Sequence, residues 1–316
     1  FERLLHLTHF GLSKQMSAPD RLYMVRSQFY ISNFEACIQE ASRVNSADQG
    51  DNLEVLYYTC RSRIALGQYQ EALAVIEKSP VKTVELDALR ILVQYFSDPA
   101  TRAESVEKIA LLLNEELGNT PLVRILACTI YNNENDYDHA YLTVKNAETI
   151  EELSVLAYTL VRMNRPDKAS AVYSQMCKID EDHILTQLTK TWINANGDNE
   201  KLKENTYIYH EIMDKLNESP MLMTNYLMTT LRSDNHALDR EQVEKCYNGL
   251  LEEYGKNPRD ACVLRNLVVV ASIMHQPDEE VEKYLKELEA VNPEDTMVVT
   301  SKNMLSRMEQ LETELA

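Results

Sequence analysis

The segment Asn135-Asp136-Tyr137-Asp138-His139-Ala140 contains the pattern that decides the fold of this 316-residue chain. A small or polar residue is followed at the second position by an aromatic residue, and three positions later by a small residue. Each copy ends one helical run and starts the next, which predicts a sharp turn between two closely packed helices. The pattern recurs in Ser32-Asn33-Phe34-Glu35-Ala36-Cys37, in Gly67-Gln68-Tyr69-Gln70-Glu71-Ala72 and in Asn164-Arg165-Pro166-Asp167-Lys168-Ala169, where proline replaces the aromatic residue.

Turns of this kind are typical of tetratricopeptide-type helical hairpins, in which the aromatic residue packs between neighbouring hairpins. The chain has only 7 Gly and 9 Pro, too few for the corners of an all-β protein of this length. Thr120-Pro121 and Ser219-Pro220 each predict an N-cap hydroxyl followed by proline at the first helical position. Pro258 and Pro293 are 35 positions apart, the length of one helical-hairpin repeat. We therefore predict an all-α fold, a right-handed superhelix of tetratricopeptide-like hairpins (an α-α solenoid), which is a class of binding scaffold.

Apolar periodicity predicts about eight hairpins and a final helix. The third hairpin lacks the aromatic turn pattern. The predicted helices are Asp20–Ile31 with Phe34–Val44, Leu53–Leu66 with Tyr69–Lys78, Val84–Phe96 with Ala103–Leu117, Pro121–Asn132 with Tyr137–Ala147, Glu151–Met163 with Asp167–Lys178, His183–Asn196 with Lys201–Leu216, Pro220–Arg232 with Asp239–Tyr254, Asp260–Met274 with Asp278–Val291, and Glu294 to about Leu315.

The first fifteen residues differ in composition from the rest, with one acidic residue and two of the seven histidines. Met16-Ser17-Ala18-Pro19 is typical of a natural start. We interpret residues 1–15 as an upstream or added extension, with a short organelle-targeting peptide as the alternative. Residues 16–316 are expected to form a single solenoid whose C-terminal capping helix starts at about residue 294.

The chain is strongly acidic, with 32 basic and 50 acidic residues and a formal net charge of −18. A field of that sign repels phosphate backbones and anionic lipid headgroups, so we expect no nucleic-acid partner and no direct membrane insertion. No apolar run approaches the roughly 20 residues that a membrane-spanning helix requires.

Sequence signatures of chemistry are also missing. The glycine-rich phosphate loops, the G-x-S-x-G nucleophile motif, the C-x-x-C pair and the H-E-x-x-H pair do not occur. Cys37, Cys60 and Cys128 fall at small buried positions of the hairpins, where cysteine acts as a compact hydrophobic residue. Unpaired buried thiols favour a reducing compartment, the cytosol. We expect no catalytic residues, no cofactor, no metal and no small-molecule substrate, and therefore no enzyme.

Function is expected on the concave face, which the first helix of each hairpin lines. The lining is apolar, aromatic and basic, unlike the acidic average of the chain, and Tyr and Arg are enriched at interface hot spots. Chaperone-binding tetratricopeptide modules hold the carboxylate of a peptide with Lys and Asn side chains on successive first helices. These residues are not evident at the equivalent positions here, so the expected ligand is a large apolar or extended protein segment. The predicted groove residues are Tyr57, Arg61, Ile64, Ile125, Thr129, Asn132, Tyr158, Val161, Arg162, Lys190, Ile193 and Asn194.

Two stretches resemble one family. Residues 29–41, FYISNFEACIQEA, resemble the first hairpin of the epsilon subunit of coatomer, the COPI vesicle coat. Residues 180–192, DEDHILTQLTKTW, together with 200–202 and 207–213, resemble the central block of that family. The L-T-Q-L within this block is not required by the general repeat consensus. The resemblance covers about residues 20–316.

The resemblance implies a structural, non-enzymatic coat subunit. Its repeats would curl around and stabilise a segment of the C-terminal domain of the alpha subunit, in Golgi-to-endoplasmic-reticulum retrograde and intra-Golgi transport. Membrane association at the Golgi and on vesicles would be indirect, through other coat subunits, from a cytoplasmic location. Alternatives are another tetratricopeptide adaptor of vesicle-fusion or chaperone machinery and, more weakly, a helical-hairpin enzyme subunit such as a prenyltransferase alpha chain. A prenyltransferase alpha chain needs recurring pairs of Trp and Arg. The single Trp of this chain argues against that alternative.

Overall fold

The computed structural model describes residues 20–44, 49–79, 82–115, 118–233, 240–293 and 295–315. Within these ranges the chain forms seventeen α-helices and one short 3-10 helix, Pro99–Thr101, with no strand. The α-helices are α1 (Tyr23–Tyr30), α2 (Phe34–Arg43), α3 (Gln49–Ala65), α4 (Tyr69–Glu77), α5 (Val84–Ser97), α6 (Arg102–Asn114), α7 (Pro121–Asn133), α8 (Tyr137–Val144), α9 (Ile150–Arg162), α10 (Pro166–Asp180), α11 (Ile184–Asn194), α12 (Asn199–Leu216), α13 (Pro220–Arg232), α14 (Arg240–Lys256), α15 (Ala261–Ile273), α16 (Asp278–Val291) and α17 (Thr296–Leu315).

The eight predicted hairpins and the final helix are confirmed, with helix ends that differ by a few residues. The third hairpin forms without the aromatic turn pattern. Its connection is instead the 3-10 helix, at whose start the Asp98 carboxylate accepts from the backbone N–H of Ala100 at 2.9 Å. The predicted boundaries at Leu117, Asp239 and Glu294 lie outside the described residues, as do residues 1–19 with the predicted extension and start.

The four predicted turns share one backbone conformation. Gly67, Asn135, Asn164 and Ser32 all have positive φ, between 57° and 72°. The residue after each turn residue donates its N–H to the carbonyl five positions earlier, for example from Asp136 to Tyr131 at 2.9 Å. This is the Schellman ending of a helix, which favours Gly or Asn at the left-handed position. A fifth turn of the same geometry, at His275 with φ 54°, lies in the predicted connection between Met274 and Asp278, although its residues do not match the pattern.

Small residues after the turns allow the two helices of a hairpin to touch. Ala72 and Ala140 are fully buried, and a thiol on the first helix reaches each of their carbonyls. Cys60 Sγ donates to Ala72 O at 3.8 Å, and Cys128 Sγ donates to Ala140 O at 3.6 Å. Burial raises the pKa of Cys60 to about 12, so the group stays a neutral thiol. The interpretation of these cysteines as compact core residues is confirmed.

Helix starts use the predicted caps. The hydroxyls of Thr120 and Ser219, each just ahead of a proline, accept from the backbone N–H of the third residue of α7 and α13. Helix α9 begins with a capping box between Thr149 and Glu152. Glu152 is fully buried and also pairs with Arg124 of α7 at 2.6 Å. Burial would raise the pKa of this carboxyl, but bonds from Arg124 and Thr149 hold it below its usual value.

The first helices of successive hairpins form one continuous layer, because α1, α3, α5, α7, α9 and α11 each contact the next. Helix α1 also contacts α11, so this layer returns to its beginning after six hairpins. One large hydrophobic cluster fills the first five hairpins. A second cluster joins Ile31 to Leu188, Ile212 and Leu222, and a third holds the last two hairpins and the start of α17.

Polar contacts fasten this closure between residues nearly two hundred positions apart. Gln28 Nε2 donates to Leu216 O at 3.2 Å, and Ser219 Oγ donates to Ile31 O at 2.6 Å. Farther along the seam, Lys256 Nζ pairs with Glu35 at 2.9 Å. The first hairpin is therefore packed against the sixth and seventh, and the solenoid is closed rather than open.

Replacing Gly67 by alanine tests the turn geometry. The φ of 72° is strained for a residue with a side chain, and the new Cβ would lie 3.3 Å from Asn257. We expect Gly67→Ala to lower the free energy of unfolding by about 1–2 kcal/mol, measured as chemical denaturation followed by circular dichroism. The matched control is Gly255→Ala, inside α14 with no neighbouring atom within 4 Å. Helix propensity predicts that this control is neutral or stabilised, by about 1 kcal/mol at most, and an equal loss in both variants would contradict the argument.

Glu152 predicts a specific dependence of stability on pH. Because its folded pKa lies below the unfolded value, its stabilising contribution is fully present above the unfolded pKa and is lost as pH falls through the folded one. Glu152→Gln should therefore melt below the parent chain at pH 7, and the gap in melting temperature should shrink as pH falls below 4.5, the ordinary value for glutamate. Glu282→Gln, at an exposed pair with Lys286, is the control and should show a small gap throughout. A gap for Glu152→Gln that stays constant with pH would refute this assignment.

Candidate partner-binding groove

A charged pair crosses the interior of the superhelix. Arg61 Nη1 of α3 donates to Glu151 Oε1, in the first turn of α9, at 2.7 Å. The same nitrogen donates to the Tyr57 hydroxyl at 2.9 Å. The guanidinium lies over the Phe29 ring, 4.4 Å from its centre. Both charged side chains are largely buried, with 15% and 14% of their surface exposed.

Tyrosines extend this contact to the first and sixth hairpins. The Tyr58 hydroxyl donates to Glu151 Oε2 at 2.8 Å and lies 3.0 Å from the Tyr30 hydroxyl. Tyr30 packs against the His183 ring at the start of α11, with 5.8 Å between ring centres. We call Tyr30, Tyr57, Tyr58, Arg61 and Glu151 the interior network. It joins α1, α3 and α9 directly and reaches α11.

The interior network contains one positive group, Arg61, and one negative group, Glu151. Burial raises the pKa of Tyr57 and Tyr58 well above the ordinary value, so both hydroxyls remain protonated: Tyr57 accepts from Arg61, and Tyr58 donates to Glu151. Burial alone would lower the pKa of Arg61, but Tyr57 and Glu151 raise it, so the guanidinium stays charged. A neutralised pair with satisfied hydrogen bonds is the form in which charges are tolerated in a protein interior.

The closure corrects part of the predicted groove. Tyr57, Ile64, Ile125 and Asn194 were expected to be exposed, but each is buried within the chain. For Tyr57, Ile64 and Ile125 the reason is that the first-helix layer curves back on itself, so side chains on its inner side pack against one another. Because of the same curvature, Arg61 is occupied by Glu151 instead of facing solvent. Asn194 is buried for a different reason, since its Nδ2 donates to Glu204 Oε2 of α12, the second helix of its own hairpin, at 2.9 Å.

Two further predicted residues are engaged locally. The Thr129 hydroxyl donates to the carbonyl of Ile125 in its own helix at 2.8 Å. Asn132 Nδ2 donates to Thr159 Oγ1 of the next hairpin at 3.0 Å. The Asn132 bond links α7 to α9, whereas the Thr129 bond stays within α7. Val161 and Ile193 are partly buried and pack against the large cluster.

An exposed part of the predicted groove remains around Arg162. Its Nη1 donates to the Tyr158 hydroxyl at 3.1 Å, and its Nη2 donates to the Tyr137 hydroxyl at 2.7 Å. Tyr158 is 37% exposed and meets the Trp192 ring edge to face, with 6.0 Å between ring centres. We call Tyr137, Tyr158, Arg162 and Trp192 the aromatic strip. It runs across the fourth, fifth and sixth hairpins.

The charge on Arg162 has no carboxylate partner among the described residues, where its acceptors are the two tyrosine hydroxyls and Asn135 Oδ1. Its guanidinium is nevertheless held in place between two rings, 5.4 Å from the centre of Tyr137 and 5.9 Å from that of Tyr158. Lys190, also predicted for the groove, is by contrast paired with Glu204 at 2.5 Å. A fixed, exposed cation beside aromatic rings is suited to bind an acidic or carbonyl-rich protein segment.

The sequence places Tyr137 only in the turn pattern and Trp192 only in the family resemblance. The structure places both in the aromatic strip as well. The position of Tyr137 in the strip could have been predicted from the turn pattern. The aromatic residue of each turn begins a second helix and lies beside the end of the first helix of the next hairpin. His183 and Tyr30 were missed, since their contact depends on closure between hairpins 150 residues apart.

Across the described ranges, no group of three or more His, Cys, Asp or Glu side chains is placed to hold a metal ion. None of the helices there combines the length and the apolar character needed to span a bilayer.

Solved structures establish the class of fold. The crystal structure of the APC/C heterotetramer Cut9–Hcn1 matches with a TM-score of 0.56 at 13% identity, over 91% of this chain and 55% of that one, so this chain spans about half of it. A tetratricopeptide repeat protein from Parabacteroides merdae matches with a TM-score of 0.50 at 12% identity, over 84% of this chain and 96% of that one. The protein is thus a tetratricopeptide-like helical solenoid.

The sequence comparisons give the family. The family described as "Coatomer epsilon subunit" matches residues 18–315. Coatomer subunit epsilon-1 of Arabidopsis thaliana is 28% identical over 284 residues, which cover 90% of this chain and 93% of that protein. Coatomer subunit epsilon of Caenorhabditis elegans is 27% identical, over 89% and 93% of the two chains. The chain belongs to the coatomer epsilon subunit family, and the predicted family resemblance is confirmed.

Membership makes the chain a subunit of the COPI vesicle coat, with protein partners in that coat and association with the coat in the cytoplasm. The family and the repeat fold together point to a non-enzymatic structural protein.

Removing one partner of the Arg61–Glu151 pair should lower the free energy of unfolding more than replacing both partners by apolar residues. We expect Glu151→Ala to destabilise the chain by about 3 kcal/mol, because it leaves the Arg61 charge buried and unpaired. The double variant Arg61→Met with Glu151→Leu should be more stable than Glu151→Ala. Chemical denaturation compares them, with Glu211→Ala as the control at an exposed pair with Lys215, expected to change stability by less than about 0.5 kcal/mol. A double variant as unstable as Glu151→Ala or worse would contradict this account of the pair.

Proposed function

We propose that this chain is the scaffold subunit that binds and stabilises the C-terminal domain of the alpha subunit within the COPI coat. The observation that carries the proposal is membership of the coatomer epsilon subunit family over residues 18–315. The coat would act in Golgi-to-endoplasmic-reticulum retrograde and intra-Golgi transport. The chain would be cytoplasmic and peripheral on Golgi and vesicle membranes, held there by other coat subunits. The formal charge of −18 supports indirect attachment, since anionic headgroups repel it.

The proposed contact surface is the aromatic strip with its neighbours Val161 and Ile193. Three features support this choice. The strip contains Tyr158 and Arg162, the two exposed residues of the predicted concave lining, whereas Tyr57 and Arg61 are used within the chain. Tyr, Trp and Arg are the residues that most often dominate binding energy. The cation of Arg162 is held without a carboxylate partner in the described residues, so a partner segment can supply one. We propose no catalytic activity, cofactor, metal or small-molecule substrate for the chain.

Variants of the strip test the proposal. Tyr158→Ala should weaken association with the purified C-terminal domain of the alpha subunit by about thirtyfold, or about 2 kcal/mol, if the ring is a buried anchor in the complex. Arg162→Glu should weaken it similarly, because the reversed charge repels an acidic segment. The measurement is a calorimetric titration, with circular dichroism to verify that each variant remains helical.

The control is Glu252→Lys, an exposed residue of α14, which should bind as the parent chain does. Tyr57→Ala is unsuitable as a probe, because Tyr57 is fully buried and supports Arg61. If the parent chain fails to bind the alpha domain, the proposed function is wrong. If it binds and the strip variants bind equally well, the partner is right and the surface is wrong.

A further inference from the structure

One residue of the 180–192 block lies at the seam where the solenoid closes. His183 is the N-cap of α11, and its ring packs against Tyr30 of α1, with 5.8 Å between ring centres. The next residue, Ile184, is in the hydrophobic cluster that also contains Ile31. Since the contact between α1 and α11 returns the first-helix layer to its beginning, His183 is part of the closure itself.

His183 caps α11 in its neutral form. Its Nδ1 accepts from the backbone N–H of Leu185 at 3.2 Å, which assigns the ring proton to Nε2. A protonated imidazole carries a proton on both nitrogens and cannot accept a hydrogen bond. Its charge would also lie at the N-terminus of α11, which is the positive end of the helix dipole. Protonation therefore removes the bond that starts α11 and adds a repulsion in its place.

The ring lines a cleft of about 420 Å³ between α1, the start of α11 and α12, so water can reach it. The two cations of the cleft, Arg26 and Lys215, are paired with Glu54 and Glu211. Glu151 of α9 also acts on the ring electrostatically. The cleft has one group whose ordinary pKa lies between 5 and 8, the His183 ring. The other titratable side chains that line it are Asp20, Tyr23, Arg26, Tyr30, Asp180, Asp182 and Lys215.

The surroundings keep the ring neutral at pH 7. Burial has the largest effect and lowers the pKa of His183 below its ordinary value of 6.5. Asp180 and Glu151 act in the opposite direction, and Arg26 acts in the same direction as burial. The cap of α11 is therefore formed at neutral pH and is broken on the acidic side.

We propose that His183 is a pH-sensitive switch of the closure: protonation of its ring releases the first turn of α11 and weakens the contact between α1 and α11. The direction follows from linkage. Because the folded pKa lies below the unfolded one, the contribution of the neutral cap is fully present above pH 6.5 and is lost as pH falls through the folded pKa. Acidification thus loosens the seam, and Tyr30 of the interior network loses its contact with α11.

Hydrogen–deuterium exchange of the full 316-residue chain, read by mass spectrometry, measures this switch. Exchange is compared at about pH 7.5 and about pH 5.5, where most carboxylates are still ionised, and is corrected for the intrinsic pH dependence of amide exchange. We expect the protection of α1 and of the first turn of α11 to fall by about three- to tenfold at the lower pH. The upper limit arises because the unfolded pKa of 6.5 lies about one unit above that pH. Helix α15, in the last cluster, should keep its protection.

Two variants make the test specific. His183→Asn keeps a cap acceptor but cannot be protonated, so its α1 and α11 should lose no protection at the lower pH. His139→Asn is the matched control, because His139 also lies at the start of a helix and beside a tyrosine, 5.7 Å from Tyr131 between ring centres, but on α8. This variant should lose protection in α1 and α11 as the parent chain does.

A nuclear magnetic resonance titration of the parent chain tests the switch without any variant. The His183 ring, assigned by its contact with Tyr30, should titrate below pH 6.5. The proposal is overturned if the ring titrates at 6.5 or higher, or if α1 and α11 keep their protection at the lower pH. It is also overturned if α15 loses protection to the same extent, or if His183→Asn responds to pH as the parent chain does.

Discussion

The ion pair between Arg61 and Glu151 is the contact on which the shape of this solenoid depends. It joins α3 to α9 across the superhelix at 2.7 Å, ninety positions apart in sequence. Neither charge could remain in that interior alone, since an unpaired buried charge costs several kcal/mol. Their pairing therefore requires the second and fifth hairpins to approach. The contacts of Gln28 and Ser219 at the seam hold the same curvature from the other side.

Closure decides which surfaces can bind a partner. An open repeat array presents all its first-helix side chains in one groove. Here the inner side of the first hairpins is filled by Tyr57 and its neighbours, and the surface that we propose for binding is therefore the aromatic strip farther out. A partner held there would lie against three successive hairpins whose spacing is already fixed. Preorganised surfaces of this kind lose less entropy on binding, which suits a structural subunit of a coat.

Local features of the fold could be predicted because they are encoded over a few residues. The pattern at 135–140 identifies both a left-handed turn residue and a buried small residue, and Thr120-Pro121 marks a helix start. The turn at His275 has the same geometry, but it does not match the pattern, because Glu280 stands where the other four turns have a small residue. Exposure of Tyr57 was predicted wrongly for a different reason. Whether Tyr57 is exposed depends on how far the superhelix curves. That curvature is the sum of small rotations between six hairpins, and it is fixed by the pairing of Arg61 with Glu151 of another repeat.

Zero-length carbodiimide crosslinking followed by mass spectrometry tests the closed solenoid most directly, because the reagent joins only carboxylates and amines already in contact. Lys256 and Glu35 are 2.9 Å apart in the closed form, although 221 positions separate them in sequence. We expect a Glu35–Lys256 crosslink in the monomeric fraction, alongside the local Lys190–Glu204 crosslink of the sixth hairpin. Recovery of the local crosslink without the Glu35–Lys256 one would contradict closure, and with it the assignment of binding to the aromatic strip.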